Sequence, residues 1–171
     1  DWMRLVAAAN APPPMTLRVN RRRLSVDSYL ERLRAASLNA RPCGNSGLIL
    51  ERAVAVDLLP GFREGLVSVQ DAGAQRAAEL LAVQHGMRVL DACAAPGGKT
   101  AHLLELADIE LLALEIDAKR AGRITENLHR LQLPARVCVG DAAEPSAWWD
   151  GRPFDAILAD VPCSASGVAR R

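Results

Sequence analysis

Apolar residues follow two different rhythms along the chain, and the change comes near residue 70. Before it, short alternating stretches dominate. Thr16-Leu17-Arg18-Val19-Asn20 reads as a strand, and Leu48–Leu50 and Gly65–Val69 read as further short strands. Between them Ser25 offers an N-cap to a helix whose apolar face carries Tyr29, Leu30, Leu33 and Leu38. Arg41–Gly47 reads as a loop. Asp1–Asn10 reads as the end of a helix stopped by Ala11-Pro12-Pro13-Pro14, and its opening in mid-pattern predicts that more chain precedes it. Residues 1–70 are therefore expected to form a small α+β unit with a truncated start.

After Val69 the pattern becomes a regular alternation of strand and helix. Asp71 can cap a helix through Ala77, Leu80, Leu81 and Val83 that ends near Gly86. Met87–Ala92 reads as a buried strand, Lys99–Leu106 as a helix and Leu111–Ile116 as a strand. Ala118–Leu131 reads as a helix with Ile124, Leu128 and Leu131 on one side, and Arg136–Val139 and Phe154–Val161 as strands. Near-continuous apolar strands separated by helices imply a parallel sheet covered on both faces. The fold class expected for residues 71–171 is α/β, the first half of a Rossmann-like domain. Its sheet is incomplete as read, and its fourth strand is expected to leave an unpaired apolar edge.

Composition narrows the class. Half of the 171 residues are apolar and 24% are charged, which excludes a disordered chain. No apolar run approaches the roughly 20 residues of a membrane span, and no signal-peptide pattern opens the chain. A cytoplasmic protein with no membrane partner is expected. Cys43, Cys93, Cys138 and Cys163 lie far apart in sequence, so no zinc-ligand spacing is present and no metal is expected. Net charge is +1, yet residues 1–75 hold 10 Arg against 7 acids, so the positive charge lies early. Arg21-Arg22-Arg23 can meet phosphates, or simply form a solvated turn.

The chemistry concentrates at Asp91-Ala92-Cys93-Ala94-Ala95-Pro96-Gly97-Gly98-Lys99-Thr100. The segment leaves a strand and opens a helix, where doubly wound sheets bind ligands. Gly97 and Gly98 remove side chains where a ligand must approach the backbone, and the helix start presents unpaired amides to an anionic group. The sequence Gly-Gly-Lys-Thr resembles the end of a P-loop, but Cys93 stands where the first glycine of that motif is required. Glu115, 18 residues after Gly97, is placed to accept from ribose hydroxyls. Asp117 is the alternative, although it is also placed to cap the next helix. Asp141 closes the third strand, where it can accept from an adenine amino group, and Asp160 closes the fourth. Asp91, Glu115, Asp141 and Asp160 thus sit at the carboxyl ends of four strands. So many acids would repel a dinucleotide, but they suit a sulfonium and an ammonium group, which points to S-adenosylmethionine.

Asp-x-Cys-Ala-Ala-Pro-Gly-Gly-Lys-Thr at 91–100 and Asp-Val-Pro-Cys-Ser-Ala-Ser-Gly-Val at 160–168 together resemble the Sun/Fmu (RsmB) family of bacterial RNA cytosine-5 methyltransferases. Pro-Pro-Met-x-Leu-Arg-Val-Asn at 13–20 and Gln70-Asp71 are also similar to that family, in its small RNA-contacting subdomain. The resemblance implies that Cys93, Ala94, Ala95, Pro96, Gly97, Gly98, Lys99, Glu115, Asp141 and Asp160 surround the cofactor. Many members carry Asp where this chain has Glu115. It further implies an RNA partner, in the first place 16S ribosomal RNA. Carbon 5 of cytosine is a poor nucleophile until a thiolate adds to carbon 6. In the family that thiolate belongs to a Thr-Cys pair, and the Pro-Cys cysteine releases the product. Cys163 is by resemblance the release cysteine. No Thr-Cys pair occurs in these 171 residues, so the main nucleophile is expected beyond Arg171 and the chain alone is expected to be inactive. A methyltransferase of another substrate class and a non-catalytic RNA-binding protein remain the alternatives at this stage.

Overall fold

Three helices of this molecule, after Ser25, Asp71 and Asp117, begin where a short polar side chain meets their free amides. The computed structural model describes residues 1–10 and 13–161. Ser25 caps helix α2 (Val26–Ala35), following helix α1 (Trp2–Asn10) and strand β1 (Thr16–Val19), and its side chain accepts from the Ser28 amide at 3.1 Å. Asp71 caps α3 (Ala72–Leu81), accepting from Gly73 N at 2.8 Å. Helix α3 stops at Leu81, short of Gly86, because Ala82 takes a left-handed conformation.

Four strands form an antiparallel sheet in the order β2-β3-β1-β4, with β2 at Ala40–Cys43, β3 at Gly47–Leu50 and β4 at Val67–Val69. The expected loop at 41–47 is thus half strand: Arg41 pairs with Ile49 and Pro42 with Leu48. Pro42 is tolerated because β2 is an edge strand, where a missing backbone donor faces outward. Helix α2 covers this sheet, burying Tyr29, Leu30 and Leu33 against Leu17, Val19, Leu48 and Val67.

The second sheet is parallel, in the order β7-β6-β5-β8. It comprises β5 (Arg88–Ala92), β6 (Glu110–Glu115), β7 (Arg136–Val139) and β8 (Ala156–Ala159), with helices α4 (Gly98–Leu106) and α5 (Ala118–Leu131) between them. Side chains alternate across it as the period of a strand requires. Val89, Leu111 and Ala113 join Ala78 of α3, Leu103 and Leu104 of α4, and Ile124, Leu128 and Leu131 of α5 in one core. Leu90, Ala92, Leu112 and Leu114 form the opposite face, packed with Cys138, Trp148 and Phe154. Among the described residues that face is covered by these side chains and not by a helix. The β7–β8 connection contains Pro145, Gly151 and Pro153 and forms a single 3-10 turn at Pro145–Ala147.

The order of the parallel sheet fixes where a ligand can enter. From β5 the chain steps outward through β6 and β7, then returns to the other side of β5 as β8. The crevice between β5 and β8, at their carboxyl ends, is the switch point where open α/β sheets bind ligands. Among the described residues β8 pairs with β5 alone, which leaves Ile157 54% exposed on the expected edge. Among the described residues no helix is long and apolar enough to cross a membrane, and no cluster of His, Cys, Asp and Glu suits a metal ion.

Candidate functional site

The loop from β5 to α4 turns through two residues with positive φ, Cys93 at 61° and Gly97 at 93°. Gly97 N donates to Ala94 O at 2.8 Å, and Ala94 N donates across to Leu114 O at 3.0 Å. A Cβ on Gly97 would stand 3.2 Å from both Cα and Cγ2 of Ile124 in α5. The requirement for glycine at 97 is therefore internal: a left-handed turn pressed against a helix. Gly98 is different. A Cβ there would meet nothing closer than Gln70 Nε2 at 3.7 Å, and Gly98 borders an open cavity.

That cavity, about 180 Å³, lies at the β5/β8 switch point, with walls that include Gln70, Asp91, Cys93, Gly98, Lys99 and Asp160. Ala94, Ala95 and Pro96 complete the loop side. Asp91 is 1% exposed; its Oδ2 accepts from Thr100 Oγ1 at 2.6 Å, and its buried Oδ1 has no partner among the described residues. Burial pushes its pKa up to about 6, opposed by the Thr100 hydrogen bond and the Lys99 charge. Asp160 accepts from Lys99 Nζ at 2.6 Å at the mouth of the cavity. Burial, and next the Glu115 charge, push the Cys93 thiol up, so it does not offer a ready thiolate at neutral pH.

The other two acids lie further along the same rim. Glu115 is buried beneath the loop: Oε2 accepts from Ala95 N at 3.2 Å, and Oε1 accepts from Asp117 N at 3.2 Å and Arg120 Nη1 at 3.3 Å. Asp117 caps α5, accepting from Arg120 N at 2.9 Å. Asp141 follows β7, tied to Glu115 by Gly140 N donating to Glu115 O at 3.0 Å, and its carboxylate accepts from Ala143 N at 2.8 Å. The rim thus runs Asp141, Glu115, the 93–99 loop, Asp160, in the order of the strands. The loop, Asp91, Lys99 and Asp160 share one cavity, while Glu115 supports the loop from below and Asp141 stands one strand beyond. Cys163 lies outside the described residues, and so does Arg171, the position after which the attacking cysteine is expected.

Two residues of the Arg21–Arg23 run are engaged within the molecule and do not stand ready for phosphates. Arg22 pairs with Asp108 at 2.6 Å, and Arg23 donates to Glu64 O at 2.9 Å and to Gln132 Oε1. Their partners come from sequence positions far away, which no local pattern announces. Gln70 stands in the sequence only within the Gln70-Asp71 resemblance, assigned to the small subdomain, and neither its place as a cavity wall nor Arg120 as a partner of Glu115 has a local signal. Cys43 and Cys138 are half-buried free thiols outside the cavity.

A family model described as 16S rRNA methyltransferase RsmB/F matches residues 78–171, and one described as an RsmF/B-like ferredoxin-like domain matches residues 1–57. Ribosomal RNA small subunit methyltransferase B of Pseudomonas putida is 53% identical over 175 residues, covering 100% of this chain and 40% of that protein. The protein of the same name from Yersinia pestis is 50% identical over 174 residues, covering 100% of this chain and 41% of its own length. The chain spans about two fifths of the length of these curated relatives. Among solved structures, a methyltransferase homolog protein from Pyrococcus horikoshii is 30% identical with a TM-score of 0.86, covering 97% of this chain and 56% of that one. NSun6 from Pyrococcus horikoshii with SFG shares the fold, with a TM-score of 0.84 at 16% identity over 94% of this chain and 66% of its own. Both family matches agree with whole-chain identities of about one half, and the chain belongs to the RsmB/F family of 16S rRNA methyltransferases.

Proposed function

We propose that the protein methylates carbon 5 of a cytosine in 16S ribosomal RNA, using S-adenosylmethionine held at the β5/β8 crevice. The observation that carries the reading is the buried Oδ1 of Asp91, without a partner among the described residues, beside a cavity whose walls also include Asp160. An acceptor without a partner costs about 1–3 kcal/mol, and a cationic ligand relieves that cost. The bound cofactor supplies an electrophilic methyl group on a positively charged sulfur.

The chain's own residues divide the remaining work. Residues 93–99 shape the cleft, and Gly98 presents backbone without a side chain in the way. Glu115 Oε2 accepts one hydrogen bond, which leaves a lone pair for a ribose hydroxyl while the carboxylate keeps the loop in place. Asp141, at the next strand end, is assigned to the adenine edge. Asp160, held by Lys99, is exposed enough to face both cofactor and base. Cys163 is assigned to product release, and the attacking thiolate to a Thr-Cys pair that is absent from these 171 residues and is assigned to sequence following Arg171 in the full-length protein. Residues 1–70 serve as the RNA-contacting subdomain and 71–171 as the first half of the catalytic domain, in the cytoplasm. With only Tyr29 and Phe62 as aromatics between residues 11 and 75, RNA contact there rests on arginine and shape more than on base stacking.

The test is methyl transfer to 16S RNA by the full-length protein, followed by bisulfite sequencing, which spares 5-methylcytosine. Labelled RNA whose modified cytosine resists bisulfite is expected. Modification at any other atom would refute the carbon 5 assignment, and cofactor binding without transfer would favour a non-catalytic RNA binder. The isolated 171-residue chain is expected to show no turnover.

A further inference from the structure

Arg18 is the largest fully buried side chain among the described residues, at 0% exposure, and it belongs to neither strand periodicity nor the apolar core. Its guanidinium reaches from β1 of the antiparallel sheet to the helix that carries the cofactor loop. Nε and Nη2 each donate to Glu105 of α4 at 2.8 Å, a planar two-bond fork. Nη1 donates to Gly98 O at 2.8 Å and also to Gln70 Oε1. Gly98 and Gln70 both line the cavity beside Asp91.

We infer that Arg18 is a positioning residue for the cofactor cleft, holding its Gly98 and Gln70 walls at a fixed separation from within the antiparallel sheet. This rests on the reading of the cavity as the S-adenosylmethionine site. A buried ion pair alone is weak grounds for such a role, because apolar residues of similar volume often serve stability as well. The additional donor is what matters. Gly98 O lies in the first turn of α4, where the helix supplies its own donor, so a second bond to it orients more than it satisfies. Gln70 is fixed from behind as well, since Gln75 Nε2 donates to Gln70 O at 3.0 Å and to Leu17 O at 3.2 Å. Lysine keeps the charge but is a point donor that cannot serve Glu105, Gly98 and Gln70 in one plane.

The test uses the full-length protein, with Arg18→Lys compared with Arg88→Lys. Arg88 is also a buried arginine with two acidic partners, Glu110 at 3.0 Å and Asp150 at 2.6 Å, but it sits at the opposite end of β5. Both variants are expected to melt earlier. Only Arg18→Lys is expected to raise the Kd for S-adenosylmethionine, by about tenfold at a temperature where both are folded, with the KM for RNA within about twofold of the parent; that is the scale of one charge-assisted hydrogen bond. Should Arg18→Lys not fold, Glu105→Gln, which loosens the fork from its far end, is expected to raise the same Kd about threefold, a partial loss of that bond. Unchanged cofactor affinity in the folded variant, or an equal rise in Arg88→Lys, overturns the inference while leaving the proposed function intact. A parent protein that does not bind S-adenosylmethionine overturns both.

Discussion

Replacing Gly97 by alanine isolates the reason that glycine is there. At φ 93° a Cβ enters a region that costs an L-residue about 1–2 kcal/mol. The same Cβ would stand 3.2 Å from two atoms of Ile124, one of them backbone, so α5 must yield by a few tenths of an ångström. Overpacking of this kind costs about 1–3 kcal/mol. Together these predict a loss of about 2–5 kcal/mol for Gly97→Ala, a large share of the roughly 5–15 kcal/mol available to a domain. Gly98→Ala makes the internal control. Its φ is ordinary, its Cβ meets only the side-chain amide of Gln70 at 3.7 Å, an ordinary van der Waals contact, and it opens a helix, so it should be neutral or gain up to about 1 kcal/mol. Differential scanning fluorimetry should show a fall of about 4–20 °C for the first and a change of no more than about 4 °C for the second. Equal melting shifts would refute the argument. So would a Gly97→Ala protein that melts normally and merely loses cofactor affinity, since that pattern would make ligand clearance the true constraint.

Two buried titratable groups predict opposite pH slopes. Asp91 has its folded pKa raised to about 6 by burial, so the native state holds its proton more tightly; its contribution is complete below about 3.8 and is lost as pH rises through 6. That loss is about 3 kcal/mol, and urea titrations at pH 4 and pH 7 should show it for the parent but not for Asp91→Asn, while parallel slopes would contradict it. His102 is 1% exposed with neither ring nitrogen partnered among the described residues, and burial, then the Arg18 charge, push its pKa down to about 3. Its contribution is present above about 6.5 and is lost as pH falls toward 3, by up to about 5 kcal/mol. His102→Leu should therefore flatten the acid limb of the stability profile and leave stability at pH 7 unchanged or slightly higher; a steeper acid limb in the variant would refute the buried neutral imidazole.

Features decided within a few residues were legible in the sequence. Ser25, Asp71 and Asp117 cap the helices they were expected to cap, because a cap acts on amides two or three positions away. The near-continuous apolar runs around Val89 to Ala92 and Leu111 to Leu114 pointed to a sheet buried on both faces, and Asp91, Glu115, Asp141 and Asp160 marked its carboxyl rim. What tertiary structure alone decided involves partners distant in the chain. Most of strand β2 reads as loop in the sequence because its half-exposed edge position and Pro42 erase the apolar signal that β3 supplies across the ladder. Gly97 is glycine because of Ile124, Arg22 and Arg23 are occupied by Asp108, Glu64 and Gln132, and Glu115, expected only as an acceptor for ribose hydroxyls, also holds up the loop through Ala95 N. Arg18 reads in the sequence as an outward residue of an alternating strand, yet it is buried against Glu105, 87 positions later. Periodicity tells which side of an element is apolar; only the packing of one layer on another tells which polar groups that side must enclose, and there the desolvation of each charge selects its partner.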